Sequence, residues 1–250
     1  MTETSEILFE RQGGVAVLTL NRPEKRNALT KAMSEQVIDL CEQVDRDLQV
    51  GALVVRGAGG WFCAGADRSV LSDASQDPAR QDNYELVGVV YQAFMRVGAL
   101  QVPTIAAVRG GAVGAGMNLL LATDLRILAE DARLMAGFLR IGIHPGGGHF
   151  RLMTRLAGPE TAAALAIFGE ELDGRRAVEL GLAWQALPDD QVDGRALELA
   201  GRAAQDPALA RMAVRSLRHL SDVPWPVALE AERTAQMWSL RRRYAREQKK

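Results

Sequence analysis

The stretch Arg109–Asp124, R-G-G-A-V-G-A-G-M-N-L-L-L-A-T-D, decides the fold. Before it lies the short apolar run Thr104–Val108, which reads as a buried strand. After its glycines, Met117 and Leu119–Ala122 read as a buried helix. The chain therefore leaves a strand, passes a turn free of bulky side chains, and starts a helix at about Gly114. A helix start presents unpaired N–H groups and the positive end of a dipole. Small residues there let a ligand oxygen approach those amides. A close-packed strand-to-helix connection would use the same residues, so the turn alone leaves both readings open.

Composition bounds the rest. The 250 residues suit one large α/β domain with an appendage, and 48% hydrophobic content supports a full core. The net charge of −1 gives no electrostatic footprint for nucleic acid. Cys41 and Cys63 have neither disulfide-framework nor metal-ligand spacing, so no metal site is expected and a reducing compartment is. Met1–Glu10 is acidic and polar, and no run reaches the roughly 18 apolar residues of a membrane span. The expectation is a cytoplasmic protein with no membrane or nucleic-acid partner.

Along the chain, Ile7–Arg11 and Val15–Leu20 flank Gln12-Gly13-Gly14 as a hairpin. Thr30 can cap a helix over Lys31–Asp47, whose apolar residues recur at spacings of three and four. Ala52–Arg56 reads as a strand, Ser69–Gln81 as a polar mobile segment and Glu85–Val97 as an amphipathic helix. Leu125–Leu128, Arg133–Met135 and Leu182–Ala186 read as strands. Gly142–His149 is a long turn, followed by helical patterns at Phe150–Leu156, Pro159–Phe168 and Gly174–Leu180. Everything from about Asp190 onward is helical in pattern. Strands alternating with helices indicate an α/β fold with a trailing helical segment.

A second small-residue turn, Trp61-Phe62-Cys63-Ala64-Gly65-Ala66-Asp67, follows directly on a strand. Two such turns in one domain can aim a pair of backbone N–H donors at one oxygen. That device stabilises enolates and tetrahedral oxyanions.

Three stretches then fall into a family pattern: N-R-P-x-x-x-N-A-L at Asn21–Leu29, F-C-A-G-A-D at Phe62–Asp67, and P-T-I-A-A-V-x-G-x-A-x-G-A-G at Pro103–Gly116. T-D-L-R-I at Thr123–Ile127, P-G-G-G at Pro145–Gly148 and E-L-G-L at Glu179–Leu182 continue it. In this order the chain resembles the enoyl-CoA hydratase/isomerase (crotonase) family over roughly residues 7–188. The resemblance implies a crotonase-like spiral of ββα repeats over residues 1–190, with a C-terminal helical trimerisation segment over 191–250. It implies a homotrimer or a dimer of trimers. It also implies an acyl-CoA thioester as partner, with coenzyme A arriving as part of the substrate and no cofactor held permanently.

By the same resemblance, the backbone amides of Ala66 and Ala115 form the thioester oxyanion hole. Coenzyme A lies along Lys25, Arg26 and Ala28, along Ala64, Ala66 and Asp67, and near Gly111 and Gly114. Lys25 and Arg26 have the charge that phosphates require; each is equally well a solvated surface cation.

The family's hydratases carry two glutamates, and the corresponding positions here are Asn118 and Phe138. Neither side chain transfers a proton, and a positioned acid or base contributes about 10²–10⁴-fold. His144 and His149 flank Pro145–Gly148, and a histidine titrates near neutrality. His144 is the candidate replacement; both also read as turn histidines bonded to backbone. Asn118 can orient water or a carbonyl, or satisfy the buried helix. Asp67 reads as a helix cap, Asp124 as structural and His219 as a surface residue.

Three functions remain open at this stage. The first is a crotonase-type enzyme acting on acyl-CoA, with His144 serving isomerisation, hydrolysis or C–C cleavage. The second is an acyl-CoA-binding protein without catalysis. The third, a Rossmann-type nucleotide binder, fits poorly because G-G-A-V-G-A-G is not G-x-G-x-x-G.

Overall fold

A computed structural model describes residues 5–248. Residues 1–4, Lys249 and Lys250 lie outside it. In chain order the elements are β1 (Ile7–Gln12), β2 (Val15–Leu20), α1 (Lys31–Arg46), β3 (Ala52–Gly57), α2 (Arg68–Gln76) and α3 (Gln81–Gly98). Next come β4 (Thr104–Val108), β5 (Gly111–Val113), α4 (Ala115–Ala122), β6 (Leu125–Ala129), β7 (Arg133–Met135) and α5 (His149–Ala166). The chain ends with β8 (Glu171–Leu172), α6 (Gly174–Glu179), β9 (Gln185–Leu187), α7 (Val192–Ala203), α8 (Pro207–Leu220) and α9 (Trp225–Glu247).

The main sheet runs β1-β2-β3-β4-β6-β9, with β1 antiparallel at one edge and the rest parallel. A smaller sheet, β5-β7-β8, lies beside it. Every residue of β2 and β4 is buried, as expected of strands covered on both faces. In α1 the Thr30 hydroxyl accepts from the Met33 amide, and Met33, Val37, Cys41 and Val44 form the buried stripe. The fold is α/β with a C-terminal helical segment, as the alternation of strands and helices predicts.

Three local differences from the sequence reading have physical causes. Residues 68–76 form α2 instead of a mobile segment: the Asp67 carboxylate accepts from the Ser69 amide, and Val70 buries itself in the core. The strand expected at Leu182–Ala186 begins only at Gln185, because the Leu182 carbonyl accepts from the buried Arg126 guanidinium. The helical patterns on either side of Gly158 are one helix interrupted there, where φ is 78° and Pro159 restarts the helix.

The tail is of two kinds. Helix α7 buries Val192, Ala196 and Ala200 beneath the sheet. Helix α9 buries no residue, and Trp225, Val227, Met237, Leu240 and Tyr244 stand exposed along it.

Candidate active site

The two small-residue turns are stitched together by backbone. The Cys63 amide donates to the Gly111 carbonyl at 3.2 Å, and the Val113 amide donates to the Cys63 carbonyl at 3.0 Å. Gly116 packs so closely that an added Cβ would sit 2.3 Å from the Cys63 carbonyl oxygen. Gly65 faces the start of α4, where an added Cβ would meet the Val113 carbonyl at 2.8 Å and the Ala115 nitrogen at 3.6 Å. Its φ of 98°, and the φ of 53° with ψ of −114° at Gly114, are conformations that side chains rarely adopt.

Among the described residues, neither the Ala66 nor the Ala115 amide has a protein acceptor. Around Ala66, the neighbouring Leu29 amide donates to Gly65 and the Asp67 amide donates to Leu29, leaving the Ala66 N–H outside the ladder. Ala115 is the first residue of α4, so its N–H has no partner within the helix. Both residues line an apolar cleft of about 110 Å³ together with Val70, Val90, Tyr91, Phe138 and His144.

The loop expected to serve coenzyme A is fixed to the first turn. Buried Asn27 accepts from the Arg22 amide and donates to the Ala58 and Trp61 carbonyls at 2.9 and 2.6 Å. The Ala64 amide donates to the Arg26 carbonyl, and Arg22 bridges the Ala28 carbonyl and the Asp67 carboxylate at 2.9 Å each. Burial pushes the Asp67 carboxyl up, but the Ser69 amide and the Arg22 guanidinium outweigh it and hold its pKa below the usual value. Lys25 and Arg26 are exposed and without an ion-pair partner among the described residues, and Arg26 stacks 4.9 Å over the Trp61 ring. Gly114 lines the cleft. Gly111 is instead buried, where a side chain would strike the Arg133 carbonyl and the Trp61 ring.

At the two positions where the resemblance implies glutamates in hydratases, Phe138 is an apolar wall and Asn118 is 1% exposed at the base of the cleft. The Asn118 amide donates to the Gly146 carbonyl at 2.9 Å, and its oxygen lies 2.8 Å from His149 Nδ1. Since a carbonyl only accepts, the amide orientation follows, and Nδ1 of His149 must carry the proton. His149 is therefore bonded to a side chain, not to backbone as its turn position suggests. Burial lowers its pKa to about 4, so it is neutral, and its buried Nε2 has no partner among the described residues. His144 is exposed at the cleft; its Nδ1 donates to the Pro145 carbonyl at 2.7 Å, which leaves Nε2 with a free lone pair.

Two other expectations concern residues away from the cleft. Asp124 accepts from the Thr104 amide and hydroxyl and pairs with Arg218, tying β4 to α8. His219 is exposed. Tyr91 is not among the expected site residues; it lies three residues before Phe94 on α3, a spacing that sets a polar-tipped aromatic beside the apolar stripe, and it lines the cleft.

An α/β domain with two unengaged amides at an apolar cleft has the donors to hold a ligand oxygen, and comparison with known proteins gives the family. The enoyl-CoA hydratase/isomerase family matches residues 10–244, and the chain belongs to that family. It is 40% identical over 240 residues to a Mycobacterium tuberculosis protein named probable enoyl-CoA hydratase EchA14, covering 96% of this chain and 91% of that one. It is 37% identical over 204 residues to the 1,2-epoxyphenylacetyl-CoA isomerase of Escherichia coli strain K12, covering 80% and 77%. Among solved structures, an enoyl-CoA hydratase from Polaromonas superposes with a TM-score of 0.86 at 26% identity, covering 94% of this chain and 91% of that one.

Proposed function

We propose that the protein is an acyl-CoA enzyme whose Ala66 and Ala115 amides bind the thioester oxygen and whose His144 exchanges the proton. The observation carrying this reading is the pair of unengaged N–H groups at one apolar cleft. Donors held in place by the fold reorganise little as charge develops on an oxygen. Coenzyme A enters along Lys25, Arg26 and Ala28 and along Ala64 and Asp67, as part of the substrate and not as a resident cofactor.

His144 Nε2 accepts a proton from the carbon next to the thioester carbonyl. The C–H electron pair moves toward the carbonyl carbon, and the enolate oxygen rests on the two amides. Return of the proton at another carbon of an unsaturated acyl group gives isomerisation. Hydration by two carboxylates is not supported, because Asn118 and Phe138 stand where the family's hydratases carry glutamates. The protein similar to an isomerase of an acyl-CoA epoxide fits this emphasis. The same two substitutions favour a second reading, an acyl-CoA-binding protein without turnover.

The exposed apolar residues of α9 support assembly through residues 191–250 into a homotrimer or a dimer of trimers, with α9 more than α7 at the contact. Two buried, unpaired cysteines suit a cytoplasmic setting. A panel of CoA thioesters incubated with the protein and resolved by mass tests the assignment. An isomer of unchanged mass is the expected product; a gain of one water from an enoyl-CoA would overturn it. Tight binding with no product from any thioester would establish the second reading.

A further inference from the structure

We propose that Tyr91 is the end wall of the acyl cleft and sets the longest acyl chain the protein accepts; this rests on the acyl-CoA reading above. Tyr91 is the residue shared by two adjoining cavities. One is the cleft of about 110 Å³. The other is a groove of about 720 Å³ that continues along α3, α4 and α5, lined by Phe94, Met95, Ala122 and Leu152 together with Arg151 and Arg155.

The ring stands between them and is braced. It packs on Phe94 with centroids 5.8 Å apart. Its hydroxyl abuts Gly146, where an added Cβ would fall 2.1 Å away, and a Cβ on Gly147 would lie 3.1 Å from the ring. That same Gly147 position is 2.8 Å from the Asn118 amide nitrogen, so Tyr91 stands level with the first turn of α4. Asn118 follows Ala115 by three residues, an axial rise of about 5 Å. Ala122, at the far end of α4, belongs to the groove beyond. An acyl chain whose carbonyl rests on the Ala115 amide therefore meets Tyr91 after a few carbons and enters the groove only if the ring is removed. The hydroxyl has no hydrogen-bond partner among the described residues, so its loss leaves no buried group unpaired.

The test is the dissociation constant of acetyl-, butyryl-, hexanoyl- and decanoyl-CoA, measured by calorimetry on the full chain. Wild type is expected to tighten to about the butyryl ester and then level off or weaken. Tyr91→Ala is expected to keep tightening with length, by roughly fourfold for each methylene that becomes buried. Tyr91→Phe, which keeps the wall and drops the hydroxyl, should match wild type, and Tyr91→Leu replaces the alanine variant if the latter does not fold. A wild-type affinity that rises through decanoyl-CoA, a length profile unchanged in both shortened variants, or a phenylalanine variant behaving like alanine would overturn the inference alone. Failure of the wild-type protein to bind any of the esters would overturn the acyl-CoA reading with it.

Discussion

Asn118 and His149 share a 2.8 Å hydrogen bond across 31 positions of sequence, and it fixes the chemistry of both. Each partner pins the other: the amide cannot flip without losing Gly146, and the imidazole cannot change tautomer without losing Asn118. The pair braces the Pro145–Gly148 turn from below, and that turn carries His144 at its other end. Asn118 thus serves as structural support at the base of the cleft.

Acid should expose the burial of His149 in stability. His149 has a folded pKa of about 4 against 6.5 for a free imidazole. The unfolded chain therefore binds the proton first as pH falls. Stability from this group is full above about pH 6.5, is lost progressively down to about pH 4, and is flat below. The loss is about 3 kcal/mol. Urea midpoints between pH 7.5 and 4 check this, and His149→Gln, which keeps a donor for Asn118 without titrating, should flatten that part of the curve.

The Ala115 donor can be deleted without breaking its helix. Proline is favoured at the first helical position, where its missing N–H has no helical partner. Ala115→Pro should leave the thermal midpoint nearly unchanged. It should lower kcat by about 10²–10³, as loss of one preorganised donor does. A steady-state assay on the thioester turned over, with circular dichroism alongside, separates the two effects.

His144→Ala should remove turnover while leaving thioester affinity within a few-fold of wild type. The expected loss in kcat is on the order of 10²–10⁴, the range for a general base. Unchanged turnover would reject the role given to Nε2.

Gly146→Ala should act through Tyr91. The added methyl meets the tyrosine hydroxyl, so the ring must move, and the acyl-length dependence of binding should move with it. In a Tyr91→Ala background the same substitution should have almost no effect on that dependence. A double-mutant cycle on hexanoyl-CoA affinity measures the coupling.

Much of this site is legible along the chain because its backbone features are local. The glycines of Arg109–Asp124 and the Gly-Ala pair before Asp67 announce turns without side chains, and the capping roles of Thr30 and Asp67 follow from their positions. What escapes a linear reading is long-range. Strand β5 hides within the glycine stretch because only pairing with Arg133–Met135 makes it a strand. The composition of residues 68–76 is polar, yet one cap and one buried valine hold them helical. No local pattern pairs Asn118 with His149, or sets Tyr91 against Gly146, since packing of α3, α4 and α5 brings them together. Asn27 reads as one polar loop residue, but it ties its loop to Trp61.

The backbone stitching of Cys63 to Gly111 and Val113 carries a kinetic consequence. The two donors belong to one continuous hydrogen-bonded unit, so no loop must close to bring them to the same oxygen. Association with a short acyl thioester should then be a single bimolecular step, its observed rate linear in ligand concentration with no plateau in stopped-flow traces.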